Sequence, residues 1–150
     1  MDNPLPKMGL IKDHPEAQLP TNNNVNSLTG DTGYDLYSIE SSYILPGKSK
    51  VIDVGLTVAY IEPGYWFQIM PRSGLGFVKG LQPHLGVIDN QYRGNLAVKL
   101  YNFSDKPATL NKGDRIAQMV VHKLNQVNFQ WEDDVSKTSR GNKGLGSSGR

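Results

Sequence analysis

A chain of 150 residues, 37% hydrophobic and 20% charged, has room for one domain around one core, and a formal net charge of +2 without a dense basic stripe argues against a nucleic-acid binder. The lack of cysteine excludes disulfides and thiolate metal ligands. Sixteen glycines and nine prolines favour a turn-rich β fold over a helical bundle, and no apolar run approaches the length of a membrane span.

In chain order, residues 21–32 are rich in Asn, Ser, Thr and Gly and read as a surface loop. The stretch Asp31-Thr32-Gly33-Tyr34-Asp35-Leu36-Tyr37-Ser38 then sets Asp35 where a strand begins. A carboxylate there suits hydrated magnesium, an ion that binds phosphates while keeping several of its waters. Residues 50–61 alternate with period two: Ile52, Val54, Leu56, Val58 and Tyr60 share one face, with Asp53, Gly55 and Thr57 opposite. Residues 65–70 form an apolar run expected as a more buried strand.

Next comes Pro71-Arg72-Ser73-Gly74-Leu75-Gly76, where one short helical turn is expected to follow Ser73. Ser73 is placed to cap that turn while Arg72 and free N–H groups face outward, which makes a phosphate cradle. Taken alone, such a motif is more commonly a plain tight turn with a capping serine. In Gly86-Val87-Ile88-Asp89-Asn90-Gln91-Tyr92-Arg93-Gly94 an apolar pair delivers Asp89 to a turn, with Tyr92 three residues on. Such a carboxylate can take a proton from water and make it a nucleophile; an Asx-type turn closing a hairpin is the plainer alternative.

Residues 95–103 repeat the strand alternation, with Leu96, Val98 and Leu100 inward and Lys99 and Tyr101 outward. Residues 116–121 are another apolar strand, and Lys112-Gly113-Asp114-Arg115-Ile116-Ala117-Gln118-Met119-Val120 sets Gln118 within it, an amide that needs partners which a ligand or the neighbouring backbone supplies. Residues 127–131 are a short further strand candidate. The remainder has almost nothing to bury, yet Arg140-Gly141-Asn142-Lys143-Gly144-Leu145-Gly146-Ser147-Ser148-Gly149 combines cations, serines and glycines able to wrap a polyphosphate. It lacks the spacing of a P-loop. With no 3.6-residue periodicity anywhere, the expected architecture is all-β, an antiparallel sandwich or barrel.

In this order the five segments, spanning residues 31–149, resemble the five sequence motifs of the homotrimeric dUTPases. The resemblance implies a β-jelly roll over residues 1–131, an arm over residues 132–150, and active sites shared between three subunits. It implies hydrolysis of dUTP to dUMP and pyrophosphate, keeping uracil out of DNA and supplying dUMP for thymidylate synthesis. It assigns Asp89 to activating the water that attacks the α-phosphorus, Tyr92 to excluding a 2′-hydroxyl, and Asp35 to holding Mg2+ through water. Arg72, Ser73, Gly74, Gln118 and Arg140 go to the phosphates, Val87 and Ile88 to uracil, and Leu145, Gly146 and Ser147 to closing the tail over the substrate.

Leu145 stands where relatives usually have the phenylalanine that covers uracil, and Lys143 where they have glycine. Pro83 and Gln91 likewise replace a common asparagine and a common acidic residue, so the departures fall on the uracil side of the site. Two alternatives arise. A dCTP deaminase shares the hairpin but needs a proton-shuttling glutamate where this chain has Lys99. A regulatory role on the same fold, with a protein partner, leaves no legible mark. The expected setting is cytoplasmic (nuclear or host cytoplasm for a viral protein) and not secreted, without membrane or nucleic-acid partners.

Overall fold

Two-residue alternation of apolar side chains builds the core. The computed structural model describes residues 5–23, 25 and 27–141. Its strands are β1 (Met8–Lys12), β2 (Tyr34–Tyr37), β3 (Ser42–Ile44), β4 (Ser49–Ile61), β5 (Tyr65–Met70), β6 (Leu81–Pro83), β7 (Gly86–Ile88), β8 (Asn95–Asn102), β9 (Ala108–Leu110) and β10 (Arg115–Lys123). They form two four-stranded antiparallel sheets, ordered β1-β4-β8-β6 and β2-β10-β5-β7, with a small β3-β9 pair. The expected antiparallel jelly roll is what forms.

In the first sheet, Ile52, Val54, Leu56 and Val58 of β4 and Leu96, Val98 and Leu100 of β8 are all buried. From the second sheet come Leu36, Phe67, Ile69, Ile116, Ala117 and Met119. Side chains of this kind contribute about 1.5–3 kcal/mol each when fully removed from water, and one core over two sheets is the result.

The simple alternation fails at the end of β4. Tyr60, expected inward, is 44% exposed, whereas Ile61 is buried. The cause is a bulge: Gly9 pairs with Tyr60 but Leu10 with Val58, so β4 gains a residue on β1 and its faces exchange. A second slip against β8, between Asp53 and Leu56, is turned by Gly55 at φ 73°. β5 also departs from expectation, since only Phe67 and Ile69 of it are buried.

Residues 127–131 are not a strand. Val127, Phe129 and Trp131 are 67, 88 and 100% exposed, with no described strand beside them to pair with. Residues 73–79 do turn helically, ending at Gly80 in the left-handed region, but no side chain caps the turn, so Ser73 does not play that part. Among the described residues no helix is long and apolar enough to cross a membrane.

Asn102, fully buried at the end of β8, ties the loops together. Its amide donates to the carbonyls of Ile44 (2.9 Å) and Lys106 (2.8 Å), and its Oδ1 accepts from the backbone and hydroxyl of Ser104. Asn102→Ala is expected to destabilise the protein by about 2–4 kcal/mol, since several buried groups lose partners at once. A urea midpoint within error of the unaltered protein would contradict this.

Candidate active site

The register of β10 creates one half of the site. Gln118 is level with Asp35 of β2 on one side and with Met70 of β5 on the other. Residues opposite one another in a ladder project from the same face, and the chain leaving Met70 continues directly into Pro71, Arg72 and Ser73. A polar cleft results, lined by Asn22, Asp31, Gly33, Asp35, Arg72, Ser73, Arg115 and Gln118.

Within it, Arg72 Nε donates to Asp35 Oδ1 at 2.8 Å, and Arg115 Nε lies 3.9 Å from Asp35 Oδ2. Gln118 donates to the carbonyl of Pro71 at 2.8 Å, fixing the start of the Arg72 turn. Gly33 leaves room for that amide: a Cβ there would sit 1.8 Å from Gln118 Oε1. The loop over residues 21–32 is largely exposed, as expected, yet anchored. Asn22 donates to the carbonyls of Asp31 (2.8 Å) and Gly33 (2.6 Å), and Thr21 bridges to Asp35 through the backbone.

The other half is the hairpin after β7. Asp89 is exposed, and among the described residues nothing hydrogen-bonds its carboxylate. Tyr92 closes the turn through its N–H to the Asp89 carbonyl (3.0 Å) and folds back so that its hydroxyl donates to the Asn95 carbonyl (2.6 Å). Val87 faces outward while Ile88 packs against the core. Together with Trp66 and the Pro63-Gly64 turn these residues line a second, separate depression. Trp66 is held there by stacking on His122, with centroids 4.5 Å apart, while His122 Nε2 meets Gln68 Oε1 at 2.9 Å.

The two halves do not meet within one chain. Ile88 pairs with Phe67, which sets Asp89 near Trp66, whereas Arg72 follows the opposite end of β5. Met70 is four residues beyond Trp66, or ~13 Å along the strand, and Arg72 is two residues further. The structure therefore gathers Asp35, Arg72, Ser73 and Gln118, gathers Val87, Ile88, Asp89 and Tyr92, and keeps the groups apart. Gly74 opens the helical turn beside Ser73. Arg140 lies in an exposed turn in which the Gly141 N–H reaches the Thr138 carbonyl at 3.1 Å. Lys143, Leu145, Gly146 and Ser147 lie outside the described residues.

Sequence reasoning missed Arg115, Asn22, Asp31, Trp66 and Asn90. Arg115 and Asn90 stand inside two of the sequence motifs, but their partners are tens of residues away and leave no local pattern. Among the described residues no three acidic or histidine side chains cluster into a metal cage.

Fold and cleft together define an antiparallel jelly-roll protein with a polar, guanidinium-bearing cleft at the edge of one sheet. The dUTPase family profile matches residues 20–149. The deoxyuridine 5'-triphosphate nucleotidohydrolase of Histophilus somni (strain 2336) is 40% identical over 139 residues, covering 90% of this chain and 89% of the relative. The protein of the same name from Actinobacillus succinogenes is 41% identical over 126 residues, covering 81% and 83%. Among solved structures, a variant of the Staphylococcus bacteriophage 80alpha dUTPase with dUpNHpp superposes at a TM-score of 0.82 with 26% identity, covering 96% of this chain and 99% of that one. The fold is shared also with a dUTPase of phage phi11 of S. aureus, described as coordinating a structural Mg(II) ion, at a TM-score of 0.75 and 22% identity over 87% of this chain and 99% of that one. The chain belongs to the dUTPase family.

Gly33→Ala is expected to expel the Gln118 amide from its bond to Pro71 and to cost about 1–2 kcal/mol of stability. A crystal structure of that variant with the Gln118–Pro71 bond intact would show that the cleft does not depend on the missing Cβ.

Proposed function

We propose that this protein hydrolyses dUTP to dUMP and pyrophosphate at sites assembled from three copies of the chain. The observation that carries this reading is the separation of Asp89 from Arg72, Ser73 and Gln118 along β5. A carboxylate able to prime water and a cleft able to hold phosphates are both built, yet one chain cannot bring them to one phosphorus atom. A homotrimer with shared sites resolves that.

One subunit supplies the phosphate cleft. There Arg72, Ser73, Gly74 and Gln118 position the triphosphate, with Arg115 adding a second guanidinium beside Asp35. A second subunit supplies the hairpin, where the backbone of Val87 and Ile88 meets uracil and Tyr92, pinned to Asn95, blocks a 2′-hydroxyl. Asp89 accepts a proton as the water oxygen bonds to the α-phosphorus. The bond from that phosphorus to the bridging oxygen breaks, and pyrophosphate leaves with the electron pair. Little covalent chemistry falls to the protein, so positioning and charge neutralisation carry the rate.

Magnesium fits the phosphate cleft. Asp35 is a single half-buried carboxylate on a polar surface, and this ion typically binds through one or two carboxylates and its own waters. Asp35 would hold it through water, and the ion would offset triphosphate charge. The arm over residues 132–150, with Arg140, Leu145, Gly146 and Ser147, closes the third subunit's contribution over the nucleotide. Lys99 lies 5.5 Å over the Tyr101 ring, a cation on an aromatic face and no substitute for the carboxylate a deaminase requires.

Subunit mixing tests the shared site. Homotrimers of Asp89→Asn and of Arg72→Ala are each expected to lose roughly a hundredfold or more in pyrophosphate release from dUTP. Mixing them under exchange should restore a substantial fraction of activity, because some sites then draw both intact groups from different chains; no recovery in verified mixed trimers would sink the proposal. Truncation after Ser139 should leave a folded trimer with sharply reduced turnover, whereas full activity would make the tail a passive end.

A further inference from the structure

Asp89 has no partner for its carboxylate among the described residues and sits on an exposed turn, so its position depends on the backbone that carries it. Asn90 fixes that backbone. Its Nδ2 donates to the carbonyls of Glu62 and Tyr65, each at 2.8 Å, the two groups that flank the Pro63-Gly64 turn. From the other side Arg93 Nη1 donates to the carbonyls of Asn90 (2.7 Å) and Tyr92 (3.0 Å). The Pro63-Gly64 turn is itself anchored, since the Leu124 N–H donates to Gly64 O at 2.8 Å. The hairpin bearing Asp89 is thereby bound to the junction of β4 and β5 and to the end of β10.

We infer that Asn90 is a positioning residue for Asp89 in the proposed hydrolysis, acting through this double hydrogen bond; the inference rests on that functional reading. The chemistry is selective. A primary amide carries two N–H donors on one nitrogen, and both are used against two carbonyls that have converged on it. Serine offers one donor. Aspartate offers none when ionised and would set a carboxylate against two carbonyl oxygens. Asn90 is partly buried and borders the depression, but both donors of its amide are engaged by the two carbonyls, so its effect passes through the turn. A general base displaced by about 1 Å commonly costs on the order of a hundredfold in rate.

The experiment compares full-length wild type, Asn90→Ala and Asn90→Asp for kcat and KM on dUTP, with dUpNHpp affinity measured on the same samples and sites counted by its binding. Positioning predicts kcat per site lower by roughly ten- to a hundredfold, with dUpNHpp affinity held within about threefold because the triphosphate is held by Arg72, Ser73 and Gln118 of a different subunit. Gly64→Ala provides an independent route: Gly64 has φ 90°, so a side chain there strains the turn that presents both acceptors, and kcat should fall in the same way. Unchanged kcat per site in any folded variant overturns the inference. So does a parallel loss of kcat and analogue affinity, which would mark Asn90 as holding the whole site together and not the base in particular. If neither Asn90 variant folds, Gly64→Ala decides. Wild-type protein that releases no pyrophosphate from dUTP would instead defeat the functional reading.

Discussion

Everything in the Arg72 half of the candidate site follows from the register of β10 between β2 and β5. Because Gln118 lies level with both Asp35 and Met70, three strands present an amide, a carboxylate and the root of the Arg72 turn in one row. A slip of one residue would send Gln118 to the other face. That register is secured by the core beneath, where Ile116, Ala117 and Met119 are buried against Leu36, Phe67 and Ile69. Packing thus decides which polar groups share the cleft, and the Arg72–Asp35 pair is a consequence of it.

Much of this was legible in the chain. The alternation of β8 and of β4 as far as Val58, and the helical turn after Ser73, are local patterns that survive into the structure, whereas the alternation of residues 127–131 does not. What escaped was non-local. The exchange of faces at Tyr60 arises from β1, almost fifty residues upstream, inserting a bulge. Arg115 joins Asp35, and Asn90 joins Glu62 and Tyr65, through pairings that no spacing announces. The motifs were recognisable because each is contiguous; the way they divide into two groups was set by strand order, with β7 on the edge beside β5.

β5 therefore acts as a spacer as much as a core strand. Its buried Phe67 and Ile69 belong to the fold, while its ends carry two unlike kinds of chemistry, the anionic hairpin near Trp66 and the guanidinium turn after Met70. Keeping a bare carboxylate away from the Arg72 and Arg115 cations within a chain prevents Asp89 from being captured in an internal ion pair. It stays available to whatever is brought to it.

The exposed stretch over residues 127–131 carries a different consequence. Val127, Phe129 and Trp131 alternate with polar neighbours and stand open to solvent, a short β-prone segment of the kind that templates cross-β misassembly. Directly after it the chain reads Glu132-Asp133-Asp134. Three consecutive negative charges repel stacked identical copies and act as gatekeepers, so the same boundary that ends the apolar pattern guards a newly made chain against aggregation.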